Sequence, residues 1–156
     1  MVDATQLVKK LQEMRDDGFL SDALLREAVR SIKDSDDRFD WVGALMLNEE
    51  AQELWLHNYV GSRTEEAKVP VGEGIRGKAV EEMANQNVPD VSEVEHYIAS
   101  DPNVSSELVV LVRAGDEIFG QLAIDSLEPA AFTDEDEEAL VLIADKLAEQ
   151  IMAERR

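Results

Sequence analysis

Apolar positions recur at helical spacing at both ends of this chain and at two-residue spacing between them. Leu7, Val8, Leu11 and Met14 make a stripe over residues 2–15. Asp3 or Thr5 stands where a helix cap belongs, and Gly18 is a stop signal. Ser21 opens a second predicted helix, with Leu24, Leu25, Ala28, Val29 and Ile32 on one face. It ends in the acidic run Asp34, Ser35, Asp36, Asp37. From residue 39 the period changes. Residues 39–47 read as a strand and residues 48–52 as a polar turn. Leu54, Leu56 and Asn58 then alternate with Trp55, His57 and Tyr59. Two such runs around a short polar link predict a hairpin. Residues 107–113 and 117–125 predict a second, over Ala114, Gly115 and Asp116. Between the hairpins lies a glycine-punctuated loop, residues 70–77. A short helix is predicted over 78–85, with Ala79, Val80 and Met83 inward. Residues 88–100 read as irregular, with a short strand near 88–91. Thr133 followed by Asp134, Glu135 and Asp136 opens the last helix. A hydroxyl and acids there suit the unpaired N–H groups and the positive dipole end. Leu140, Ile143, Ala144, Leu147 and Ile151 form its apolar face.

Strands grouped as hairpins, with helices before, between and after them, predict an α+β fold: an antiparallel sheet flanked by helices. The 156 residues suit one domain, with N-terminal helices over about 3–36 and a C-terminal helix over about 133–154. A chain of this length can bury a core without metal or disulfide staples. Aromatic residues are 5% of the chain, so that core is expected to be aliphatic.

Charge narrows the partners. Asp and Glu number 35 against 15 Lys and Arg, a net charge of -20. Such a surface repels phosphate backbones and anionic lipid, so no nucleic acid and no membrane is expected as a partner. A salt-rich cytoplasm would screen the self-repulsion, which makes a halophilic source one expectation and an ordinary acidic protein the other. No apolar run approaches the roughly 20 residues that span a bilayer. The first 15 residues are amphipathic and mixed in charge, unlike a signal peptide. A cytoplasmic location is expected.

Cysteine is absent. His57 and His96 are the two histidines, far apart and outside any metal-ligand spacing, so neither metal nor cofactor is expected. Ser100 lies beside Asp101 and near His96, but no nucleophile-elbow motif surrounds it, and no catalytic residue is assigned. The glycine loop lacks Gly-Lys-Ser/Thr and is not a phosphate-binding P-loop.

Four segments in order carry a family resemblance. The run Val69-Pro70-Val71-Gly72-Glu73-Gly74-Ile75-Arg76-Gly77-Lys78-Ala79 resembles the pocket loop of GAF domains, more narrowly of the free methionine-(R)-sulfoxide reductase branch. Tyr97-Ile98-Ala99-Ser100-Asp101, Ser105-Ser106-Glu107-Leu108-Val109-Val110, and Gly120 to Ser126 with Phe132-Thr133-Asp134-Glu135-Asp136 resemble later segments of that branch. The start of the first strand at Trp41-Val42-Gly43 fits as well, and the likeness spans about residues 20–152. It implies a GAF-like antiparallel sheet with a ligand pocket walled by Trp41, Arg76, Tyr97, Ser100, Glu107 and Asp125.

The departures bear on function. The resemblance aligns Arg76 and Ser100 with cysteines of the reductases, and Ala123 with an aspartate. Thiolate attack on a sulfoxide and disulfide resolution need cysteine, and a serine hydroxyl replaces neither role. Reductase chemistry is therefore not expected. The missing cysteine also excludes thioether attachment of a bilin. The expected function is non-catalytic binding of a small molecule, such as an amino acid or related zwitterion, in a sensory role. Glu107 and Asp125 would accept from an amine or guanidine group, and Arg76 would grip a carboxylate. Alternatively, Arg76 pairs with the two acids itself and fills the pocket. A repurposed reductase and a protein-interaction module with a closed pocket are the other readings. The apolar stripes on the first and last helices suggest a homodimer, and signalling would pass to a separate protein.

Overall fold

The computed structural model describes residues 1–64, 67–95, 97 and 101–155. Its elements are α1 (Ala4–Asp16), α2 (Ser21–Asp34), β1 (Trp41–Asn48), β2 (Glu53–Val60), β3 (Lys68–Pro70), α3 (Gly74–Glu82), β4 (Gln86–Val88), β5 (Ser106–Ala114), β6 (Glu117–Ser126) and α4 (Asp134–Glu154). The strands form one antiparallel sheet in the order β3-β2-β1-β6-β5-β4. The α+β architecture, an antiparallel sheet flanked by helices, is the predicted one.

Two apolar cores lie on opposite faces of the sheet. Successive side chains of a strand point to opposite faces, and β5 and β6 are buried on both. Leu108, Val110, Leu122 and Ile124 meet Leu24, Val29, Leu140 and Leu147 of the helices. Val109, Leu111 and Ala123 pack with Trp41, Leu45, Ile75 and Ala79 on the other side. Helices α2 and α4 lie on the sheet, and α1 packs on both of them. Leu7, Leu11, Leu140, Ile143, Leu147 and Ile151 are all buried there. These residues of the stripes that suggested a homodimer pack inside the chain, with Val8 and Met14 partly buried.

Local signals place the helix starts. The Asp3 carboxylate accepts from the Gln6 N–H and caps α1. Thr133 and Asp136 close a reciprocal capping box on α4, satisfying two helix-start donors. Asp136 does more than cap. The Arg38 guanidinium donates to both of its carboxylate oxygens, to Asp36, and to the Ala131 carbonyl. This ties the entry of β1 to the start of α4. Hydrogen bonds from Arg38 are the main cause holding Asp36 below the usual carboxylate range. At Asp136 burial pushes upward, and bonds from Arg38 and Thr133 more than reverse it. Arg38→Ala is expected to cost about 2–3 kcal/mol at neutral pH, because it strands a buried carboxylate while Arg38 itself keeps some solvent screening. Both acids are depressed in the folded state. Their stabilisation is present above their unfolded values near pH 4 and is lost as pH falls further. Urea melts of the two proteins at neutral pH and in acid should show the gap narrowing in acid.

Four details differ from the sequence pattern. The helix after the glycine loop begins at Gly74, not residue 78, and ends at Glu82. Met83 is not inward: it adopts a left-handed cap (φ 54°) and is exposed. The short strand expected near 88–91 is β4, Gln86–Val88, followed by a 3-10 turn at Val91–Glu93. The pairing of β1 with β2 also shifts by one residue between Ala44 and Leu45, which skips His57. That bulge changes the alternation, and Leu54, Leu56 and Tyr59 share the face of Trp41.

Candidate functional site

Strand register assembles the site. Trp41 of β1 stands opposite Asp125 of β6, which stands opposite Glu107 of β5. The next row on this face is Gly43, Ala123 and Val109, and the one after is Leu45, Gln121 and Leu111. The Trp41 indole lies back over Gly43, where a Cβ would collide with the ring. Tyr59 stacks on Trp41 with centroids 5.6 Å apart and planes 19° apart.

Arg76 enters from the opposite wall. It lies in the first turn of α3 and is 4% exposed. Its Nη2 donates to Glu107 Oε1 at 3.2 Å and Asp125 Oδ2 at 3.1 Å. The guanidinium sits 4.6 Å from the Trp41 ring centroid. Gln121 Nε2 donates to the Arg76 carbonyl at 3.0 Å and holds the backbone of that turn to the sheet. Glu107 and Asp125 are 1% and 0% exposed. Two carboxylates facing each other across strands repel, and Arg76 is the cation between them.

Burial governs the protonation states. Desolvation disfavours the charged guanidinium, but the fields of Glu107 and Asp125 more than reverse it and raise Arg76 above the ordinary arginine value. Desolvation is also the largest influence on Glu107 and lifts it well above the usual carboxylate range; Arg76 pulls it down and Asp125 pushes it up. Desolvation, with the field of Glu107, also pushes the Tyr97 phenol far upward, and it stays protonated.

The cluster leaves little space. A residual cavity of about 10 Å³ is lined by Val69, Glu73, Gly74, Ile75, Arg76 and Glu107. One water needs roughly 10–15 Å³. Several polar atoms of the Arg76 cluster are buried without a hydrogen-bond partner: Trp41 Nε1, Arg76 Nε, Tyr97 Oη, Glu107 Oε2 and Gln121 Oε1. Outside lies an open cleft of about 300 Å³ lined by Gly72, Glu73, Gly74, Lys78 and Glu95.

Of the residues expected to wall a pocket, Trp41, Arg76, Glu107 and Asp125 come together, with Tyr97 half-buried beside them. Ser100 and His96 lie outside the described residues. Arg76 pairs with the acids directly, the second of its two expected arrangements. Gln121 and Tyr59 were missed. Gln121 had a signal: Gln121 and Asp125, four residues apart, put polar groups on one face of an otherwise apolar strand. Tyr59 did not, because the bulge at His57 is invisible in the alternation. No group of three or more His, Asp or Glu able to hold a metal occurs among the described residues.

The GAF domain family model matches residues 20–151. The chain belongs to the GAF domain family. It is 33% identical over 131 residues to the free methionine-R-sulfoxide reductase of Escherichia coli (strain K12), covering 84% of this chain and 73% of that protein. The type II free methionine-R-sulfoxide reductase of Thermoplasma acidophilum superposes with a TM-score of 0.79 at 33% identity, covering 85% of this chain and 93% of that one. The reduced form of the Staphylococcus aureus fRMsr gives 0.85 at 32% identity, covering 97% and 96%. The chain is thus a homologue of these reductases with no cysteine. No helix among the described residues is long and apolar enough to cross a membrane.

Proposed function

We propose that this chain is a non-catalytic GAF domain that binds a small polar molecule at the Arg76 site and serves a regulatory role. The observation that carries this reading is the set of unpartnered buried polar atoms around Arg76. An unpaired buried group costs about 1–3 kcal/mol. A pocket closed purely for stability would be lined by apolar groups or fully paired ones. One water offers about three hydrogen bonds, fewer than these five atoms require. They offer acceptors at Glu107 and Gln121 and donors at Trp41, Tyr97 and Arg76. A molecule carrying both kinds of group, such as an amino acid or related zwitterion, complements them. The homology supports the same class, since the relatives are named for a free amino-acid derivative. Their chemistry does not transfer, because a thiolate is the nucleophile toward sulfoxide sulfur and none is present.

The test is a thermal-shift screen of the full chain at high salt with free amino acids, methionine sulfoxide and nucleotides. A ligand that binds only the folded state raises the melting temperature, and at least one zwitterion is expected to do so. Free methionine-R-sulfoxide with a dithiol reductant is expected to show no turnover above background. A flat panel sinks the ligand-binding reading. The alternative is then a closed interaction module acting on a separate protein or a second copy, which the 10 Å³ residual cavity favours.

A further inference from the structure

We infer that Trp41, Glu107 and Asp125 form a guanidinium receptor, that Arg76 is its tethered occupant, and that the ligand class of the site is a small alkylguanidinium compound. This rests on the ligand-binding reading above and narrows it. The box has the parts guanidinium recognition uses. Two facing carboxylate oxygens accept from one nitrogen at 3.2 and 3.1 Å, and an indole face lies 4.6 Å away. Tyr59 stacked on that indole fixes its plane. Without a cation, the Glu107–Asp125 register would set like charges opposite each other.

Arg76 fits this box imperfectly, and its tether explains why. It hangs from the first turn of α3, where the helix dipole disfavours positive charge. Nη2 bonds both acids, whereas Nε is buried without a partner, and Glu107 Oε2 lacks one too. A free guanidinium has no backbone to follow and can turn to engage both. The displaced Arg76 has somewhere to go. The residual cavity and the outer cleft share Glu73 and Gly74 as walls, and the cleft presents the exposed carboxylates of Glu73 and Glu95. The guanidinium can thus exchange a buried pair of acids for an exposed one.

The experiment uses the full chain carrying Arg76→Ala and ethylguanidinium chloride, which matches the group removed. At ten times its dissociation constant, ethylguanidinium is expected to raise the variant's melting temperature by about 3–6 °C over equimolar sodium chloride. Adding Glu107→Gln should abolish most of that rise. Equal responses to ethylguanidinium and sodium chloride overturn the receptor. An equal rise with ethylammonium overturns the guanidinium assignment. If Arg76→Ala does not fold, the wild-type chain is read by NMR. The buried Arg76 Nε–H should lose its protection from water exchange as agmatine is titrated; a signal that stays protected throughout overturns the proposal. The two readings fail separately. A screen hit lacking a guanidinium removes this ligand class and leaves ligand binding standing. A flat screen with a rescued variant does the reverse, keeping the receptor and closing the intact site.

Discussion

Arg76→Ala is expected to lower the unfolding free energy by about 3–5 kcal/mol at neutral pH, the usual cost of stranding buried charge. The acids it leaves are 1% and 0% exposed and directly opposed across β5 and β6. The loss should depend on pH, with a sign set by Glu107. Its folded value is raised, so the folded state keeps a proton that the unfolded chain releases. The resulting stabilisation is full below the unfolded value near 4.3 and is lost as pH rises toward the folded value. Arg76 is the group that pulls Glu107 down. Removing it raises Glu107 further and widens that window. The variant should therefore recover part of its deficit on acidification from neutral pH toward about pH 5, and urea melts at the two pH values would measure it. Glu107→Gln in the same background should recover most of the deficit at neutral pH, because it removes one of the two opposed acids and keeps the shape. A deficit that ignores both pH and Glu107 would mean that Arg76 matters for packing alone.

Gly77→Ala is expected to cost about 1–3 kcal/mol, near the upper end of that range. A Cβ at this position would collide with the Pro70 carbonyl oxygen and crowd the Gly72 nitrogen, both backbone atoms with no rotamer to escape into. The same segment is tied by Gly72 N–H to the Gly77 carbonyl and by Gly77 N–H to the Glu73 carbonyl, each at 2.9 Å. Alanine must push the glycine loop away from α3, and Arg76 is the residue just before it. The substitution should therefore loosen the Arg76 latch as well as destabilise the chain. Denaturant melts would give the stability. Arg76 Nε–H exchange in the folded protein would give the latch, which an effect confined to loop packing would leave unchanged.

The main elements were legible because their signals are local. The helical stripes of α1, α2 and α4 are periodic over two turns or more, and Asp3 and Thr133 announce the starts of α1 and α4. The two hairpins are alternating runs around polar links, and their four strands fall within about two residues of the predicted bounds. The start of α3 was less legible. Its first turn, Gly74 to Gly77, carries two glycines, which weaken a helix by propensity. The close approach of Gly77 to the Pro70 carbonyl, a contact across the loop, accounts for a glycine there.

By itself, the sequence determined the α+β plan, the acidic surface, the absence of thiol chemistry and the residues that differ from the reductases. Each of these follows from composition, short-range periodicity or a residue read against a motif. Tertiary structure decided what Arg76 does. In sequence it is 31 residues from Glu107 and 49 from Asp125, and both a ligand clamp and an internal pair were open. Antiparallel register set the two acids face to face, the indole of Trp41 folded over Gly43 to make a wall, and α3 aimed Arg76 between them. Burial then raised Glu107, and Arg76 pulls it back down. Desolvation and the fields of neighbours depend on where chain segments meet, and no local pattern along the chain records that meeting.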